Sequence, residues 1–196
     1  MSIQVVVPFT DVHVPEKPMV ARPGSLKGLR PGILENSKPN AQLLMEAWVE
    51  GLRGEVQLGE LTIGHKAVTT PPSKETLDLL QANCDFVLVG TGDCGSCLAW
   101  TVRSAVALEE RGIPTVCAGS HVFEEQFKLE AANCGMPNMR FVFVEHPLGG
   151  VKEAGVRDKA ARTMRHIIEA LKPNGAIQTG EASTKGSFHA KTVAAE

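Results

Sequence analysis

The chain has no tyrosine, and aromatic residues fill only 5% of its 196 positions. Basic surfaces interleaved with aromatics, on which nucleic-acid bases stack, therefore have no counterpart here. An excess of one charge is missing too. The 20 lysines and arginines face 22 aspartates and glutamates, a formal net charge of -2, so neither nucleic acid nor an anionic membrane is an expected partner. The longest apolar runs are a few residues, far short of the ~20 that cross a bilayer. The opening Met1-Ser2-Ile3-Gln4-Val5-Val6-Val7-Pro8 lacks the basic flank and apolar stretch of a signal peptide. Neither a Walker-type loop nor a Gly-x-Ser-x-Gly elbow occurs. Five cysteines, an odd number at irregular spacings, argue against a disulfide framework. A cytoplasmic protein with reduced thiols is expected.

What is present is a regular alternation. Short apolar runs occur at Gly32-Ile33-Leu34, within 56–63, at Cys84 to Val89, at Thr115-Val116-Cys117-Ala118 and at Phe141-Val142-Phe143-Val144. Between them lie stretches of helical period: Leu44, Trp48 and Leu52; Leu77, Leu79 and Leu80; Leu98, Val102, Ala105 and Val106; Phe123, Phe127, Ala131 and Cys134; and Val156, Ala160, Met164, Ile167, Ile168 and Leu171. This pattern predicts an α/β protein of three layers, α/β/α. Its five-stranded, mainly parallel sheet is doubly wound in the flavodoxin or Rossmann manner. The predicted organisation is an extended N-terminal arm over 1–26, the α/β domain over 27–172 and a polar C-terminal tail over 173–196. Arm and tail would serve contacts in a homo-oligomer or with a different subunit.

In such sheets binding sites open at the carboxyl ends of the strands. Each strand is followed by polar residues: Glu35-Asn36-Ser37-Lys38, then His65-Lys66, then Asp93-Cys94-Gly95-Ser96-Cys97, then Ser120-His121, then Glu145-His146. Cys94 and Cys97 fall at a strand-to-helix turn, where the helix dipole and unpaired amides favour thiolate. Cys94 is the candidate nucleophile, and Cys97 is a resolving thiol or a second metal ligand. Gly95 and Ser96 lie between them and are expected to contact substrate. His121 and His146 are candidate proton carriers. Asn36, Ser37 and Lys38 are candidate anion-binding residues, with Ser37 alternatively a helix cap. Asp93 would contact substrate, cap the thiol-led helix or orient a partner. Cys84, Cys117 and Cys134 read as small buried hydrophobes, the tryptophans as core or interface residues, and His166 as solvated.

Three segments, Gly32-Ile33-Leu34-Glu35-Asn36-Ser37-Lys38-Pro39-Asn40, Val89-Gly90-Thr91-Gly92-Asp93-Cys94-Gly95-Ser96-Cys97 and Glu145-His146-Pro147-Leu148-Gly149-Gly150, resemble the UGSC-motif family of selenoproteins and their cysteine homologues. The similarity runs from about Leu29 to Leu171. In many members the first position of the four-residue motif is selenocysteine. The resemblance implies that Cys94 holds the reactive position, here with sulfur. The expected activity is that of a thiol-dependent, oxidoreductase-like enzyme on a small, anionic, electrophilic substrate. No cofactor is firmly implied beyond an external thiol reductant. One alternative is a lyase or hydratase in which Cys94, Cys97 and His121 bind a soft transition metal. Another is a redox-sensing or accessory subunit without catalysis of its own.

Overall fold

The computed structural model describes residues 14–173 and 175. Five strands, β1 (Pro31–Glu35), β2 (Thr62–His65), β3 (Phe86–Gly92), β4 (Thr115–Ser120) and β5 (Phe141–Val144), alternate with five helices, α1 (Ala41–Glu55), α2 (Lys74–Asn83), α3 (Gly95–Glu109), α4 (Glu124–Asn133) and α5 (Glu153–Ala170). A 3-10 turn, His121–Phe123, precedes α4. The strands form one parallel sheet in the order β2-β1-β3-β4-β5. That is the doubly wound, flavodoxin-like order, whose direction reverses between β1 and β3.

Because side chains alternate across a strand, each strand feeds two cores. Ile33, Phe86, Leu88, Val116, Ala118, Val142 and Val144 pack with α1 and α5. Leu34, Val87, Val89, Cys117, Phe141 and Phe143 face the other way, against α2, α3 and α4. A sheet covered on both faces needs strands apolar throughout, which is why β3, β4 and β5 are buried along their whole length.

The second strand differs from the sequence expectation. It begins at Thr62, because earlier backbone groups pair elsewhere: Gln57 O accepts from Gly28 N–H at 2.8 Å, and Gly59 N–H donates to Leu29 O at 2.8 Å. His121 opens the 3-10 turn that precedes α4. The cap of α1 is Asn40 and not Ser37. His166, expected to be solvated, is half-buried, with a sealed Nδ1 that has no hydrogen-bond partner.

Residues 14–26 contain no helix or strand and lie along their own domain. Arg22 reaches Glu109 through two contacts, of 3.1 and 2.8 Å, and the side chains are 3% and 0% exposed. The same carboxylate accepts from Val20 N–H and Thr115 N–H. The rest of the predicted arm, and the predicted tail apart from Pro173 and Gly175, lie outside the described residues.

Candidate functional site

The carboxyl ends of β1, β3, β4 and β5 bring most of the candidate residues to one rim. Cys94 is the N-cap of α3, with extended backbone, and its carbonyl accepts from Leu98 N–H at 3.0 Å. The Cys94 residue is half-buried, whereas Cys97, one helical turn on, is only 1% exposed. A disulfide joins them across a Cα–Cα distance of 5.3 Å, a spacing that two cysteines bridge without backbone movement. The first turn of α3 carries no acidic residue to occupy its free amides. Gly95 and Ser96 are exposed, and a Cβ at Gly95 would meet nothing within 4 Å, so the outer side of this turn is open.

Asp93 does not cap α3. Its Oδ1 accepts from Ser120 Oγ and lies 3.0 Å from His146 Nδ1, while its Oδ2 accepts from Gly149 N–H at 3.5 Å. This fixes the proton of neutral His146 on Nδ1 and leaves Nε2 to accept or deliver one. His146 keeps 38% of its side chain exposed, and its ring meets Phe123 edge-on. His121 is drawn into support: its Nδ1 accepts from His146 N–H at 3.2 Å and lies 3.4 Å from Val144 O. One nitrogen cannot accept and donate at once, so the shorter contact places the proton of His121 on Nε2.

The first loop departs from its expected role. Asn36 is 2% exposed, and its amide pairs with Thr91 from both ends: Nδ2 donates to Thr91 O at 2.8 Å and Oδ1 accepts from Thr91 N–H at 2.8 Å. The side chain thus stands in for a neighbouring strand just before the Cys94 turn, and is a positioning residue rather than an anion ligand. Ser37 Oγ donates to Lys66 O at 3.0 Å, and its N–H donates to Glu35 Oε2 at 2.6 Å. Lys38 is half-buried and makes no ion pair within the described residues.

Residues to which the sequence reading assigned no role also shape this rim. Ser120 and Asn40 carry direct contacts to the site loops. Glu35 pairs with His65 Nδ1 at 2.8 Å. Buried Lys66 donates to Ala67 O at 2.8 Å and Val68 O at 3.2 Å, and burial holds its ammonium below the usual lysine range. The strand register signals the first of these pairs, since Glu35 and His65 are partners across β1 and β2.

The metal alternative lacks its ligand set. Among the described residues no group of three histidine, cysteine, aspartate or glutamate side chains is placed to hold a metal ion, and Cys94 and Cys97 are bonded to each other. Gly90-Thr91-Gly92-Asp93-Cys94-Gly95 also has the Gly-x-Gly-x-x-Gly form, and it joins a strand to a helix. Its glycines serve packing instead: a Cβ at Gly92 would lie 2.9 Å from Leu98 Cα, and one at Gly90 would lie 2.8 Å from Ala118 Cβ. Moreover β4 ends in Ser120-His121, without the acidic residue that takes a ribose hydroxyl. The remaining cysteines are held as thiols. Burial pushes Cys84 up to about 11, and raises Cys117 and Cys134 as well.

No curated protein matches the chain. Among solved structures it is similar to a mutant flavo di-iron protein from Thermotoga maritima, at 11% identity and a TM-score of 0.42, covering 74% of this chain and 36% of that one. It is also similar to TesA, at 13% identity and a TM-score of 0.44, covering 74% and 99%. A third is the lactose-specific IIB phosphotransferase domain from Streptococcus pneumoniae, at 13% identity and a TM-score of 0.30, covering 74% and 98%. The chain spans about a third of the flavo di-iron protein, and the fold rests here on its own strand order. The UGSC family model matches residues 4–173, a span that holds all three motifs and the rim they build. The chain belongs to the UGSC family.

Proposed function

We propose that this protein is a thiol-dependent enzyme that reduces a small, anionic, electrophilic substrate. One observation carries the reading: a half-exposed Cys94 at a helix N-terminus is joined by a disulfide to a buried Cys97. In that arrangement the outer sulfur meets substrate and the inner one resolves it.

In the reduced protein, Cys94 passes its proton to His146 Nε2 and attacks a substrate R–X. The sulfur–R bond forms, and X leaves with the electron pair of the broken bond. The Cys97 thiolate then attacks the Cys94 sulfur and breaks the bond to R. R departs with that pair and takes a proton from His146. The dithiol loses two electrons, R–X gains them, and the products are R–H, X⁻, one proton and the Cys94–Cys97 disulfide. An external dithiol, or two monothiols, restores the thiols. Attraction for an acid group comes from Lys38 and from the N-termini of α1 and α3, whose first turns carry no carboxylate.

Oxidised glutathione tests the division of labour. After reduction, wild-type protein exposed to it should end as the internal disulfide, two hydrogens lighter. Cys97→Ser should hold one glutathionyl group on residue 94, and Cys94→Ser should react at least tenfold more slowly. Equal rates for Cys94→Ser and wild type would remove the nucleophile from the proposal.

A further inference from the structure

Asn40 occupies the N-cap of α1 yet makes no side-chain cap bond, and its backbone is left-handed at φ 65°. Its Nδ2 instead donates to Leu148 O and Val151 O, both at 2.9 Å. Both carbonyls belong to the loop between β5 and α5, more than a hundred residues away in sequence. That loop also carries His146 and the Gly149 N–H that donates to Asp93 Oδ2. Its inner end is anchored by Leu148, which is 1% exposed.

We infer that Asn40 is the positioning residue that holds the His146 loop against Asp93, and so sets the proton affinity of the Cys94 site. The inference rests on the proposed role of Cys94 and His146. The reasoning concerns what fixes an imidazole in an exposed loop. Asp93 holds the ring and, at 3.5 Å, the Gly149 N–H, and His121 holds the His146 N–H. Two carbonyls of the same loop, three residues apart, are tied by one amide group to the first residue of the opposite wall. Two bonds from a single NH2 fix the distance and the orientation of the loop together. The residue type matters for a second reason. Asparagine tolerates the left-handed backbone better than most side chains, so one residue turns the chain into α1 and supplies the two donors. Ser120, bonded to Asp93 from β4, completes the frame from below.

Two substitutions separate the amide from the backbone. Asn40→Gly keeps the left-handed conformation and deletes both donors, whereas Asn40→Asp keeps the shape and points an acceptor at two carbonyls. The experiment follows alkylation of reduced full-length protein by iodoacetamide as a function of pH, reading Cys94 by peptide mass, with the urea unfolding midpoint measured in parallel. In the wild type the rate should titrate below the ~8.5 of a free thiol. Both variants should shift that midpoint upward, toward the value of His146→Gln, and slow alkylation near neutral pH on the order of tenfold. Two outcomes overturn different claims. If wild-type Cys94 titrates like a free thiol, the proposed function falls. If wild type is shifted and both Asn40 variants keep its midpoint, Asn40 has no positioning role, whatever happens to the unfolding midpoint.

Discussion

A cysteine's reactivity is decided by how much water and positive potential its sulfur feels, and the five cysteines here sample very different conditions. Cys94 lies half-exposed at a helix start, while burial pushes Cys84 up to about 11. At about pH 8 roughly a thousandth of Cys84 is thiolate, so reduced protein should alkylate at Cys94 long before Cys84, Cys117 or Cys134. A peptide-mapped time course in which Cys84 keeps pace with Cys94 would contradict this. His166 gives a second prediction. Burial, followed by the neighbouring Arg165 charge, lowers its proton affinity below the ordinary 6.5. The unfolded chain therefore binds more protons than the folded one just below 6.5, and stability is lost as pH falls through that window. Replacing His166 by Gln should flatten the decline of the urea midpoint between about pH 7 and pH 5. An unchanged slope would mean that other groups set it. Only the first environment was legible in sequence: Cys84 and Cys117 fall in or beside apolar strands, whereas the sealed Nδ1 of His166 depends on neighbours that no local pattern reveals.

At the scale of elements, the α4 face of the sheet turns on one aromatic side chain. The ring of Phe127 rests on Gly92 and Gly119, partners in register across β3 and β4, and packs edge-on to Phe141 and Phe143 at 5.5 and 5.4 Å. A Cβ at Gly119 would run into that ring. Gly119→Ala should therefore cost about 1–3 kcal/mol of unfolding free energy through overpacking, and Phe127→Leu added to it should return part of the loss. Additive losses in the double variant would show that the two positions do not share this contact. The helical stripe of Phe127 and Ala131 and the strand of Phe141 and Phe143 are both readable from spacing. The groove they fill is not, because it is made by glycines on two strands whose adjacency is a matter of topology. The second strand shows the converse: its alternation extends back to 56, yet the ladder starts only at Thr62 because the 28–29 segment takes the earlier hydrogen bonds.

For the whole molecule, the proposed reaction site and a buried ion pair sit at opposite ends of the sheet. The Cys94 rim is at the carboxyl ends of the strands, while the Arg22–Glu109 pair clamps residues 14–26 where α3 ends and β4 begins. Arg22→Met would leave a buried carboxylate without its cation and should cost about 3–5 kcal/mol. Below its unfolding transition the variant should still alkylate Cys94 at the wild-type rate. A matching loss of Cys94 reactivity in the folded variant would show that the two ends communicate. The sequence by itself determined the alternation of elements, the doubly wound sheet and the position of the Cys94 turn, because strand and helix periods and a Cys-x-x-Cys at their junction are local properties. Only the tertiary structure decided the work of the other rim residues. Asn36 turned inward to Thr91, Asp93 paired with His146, His121 became a prop and Asn40 a staple. A side chain's partner is set by which loops the strand order brings together, and those loops lie 25 to 111 residues apart along the chain.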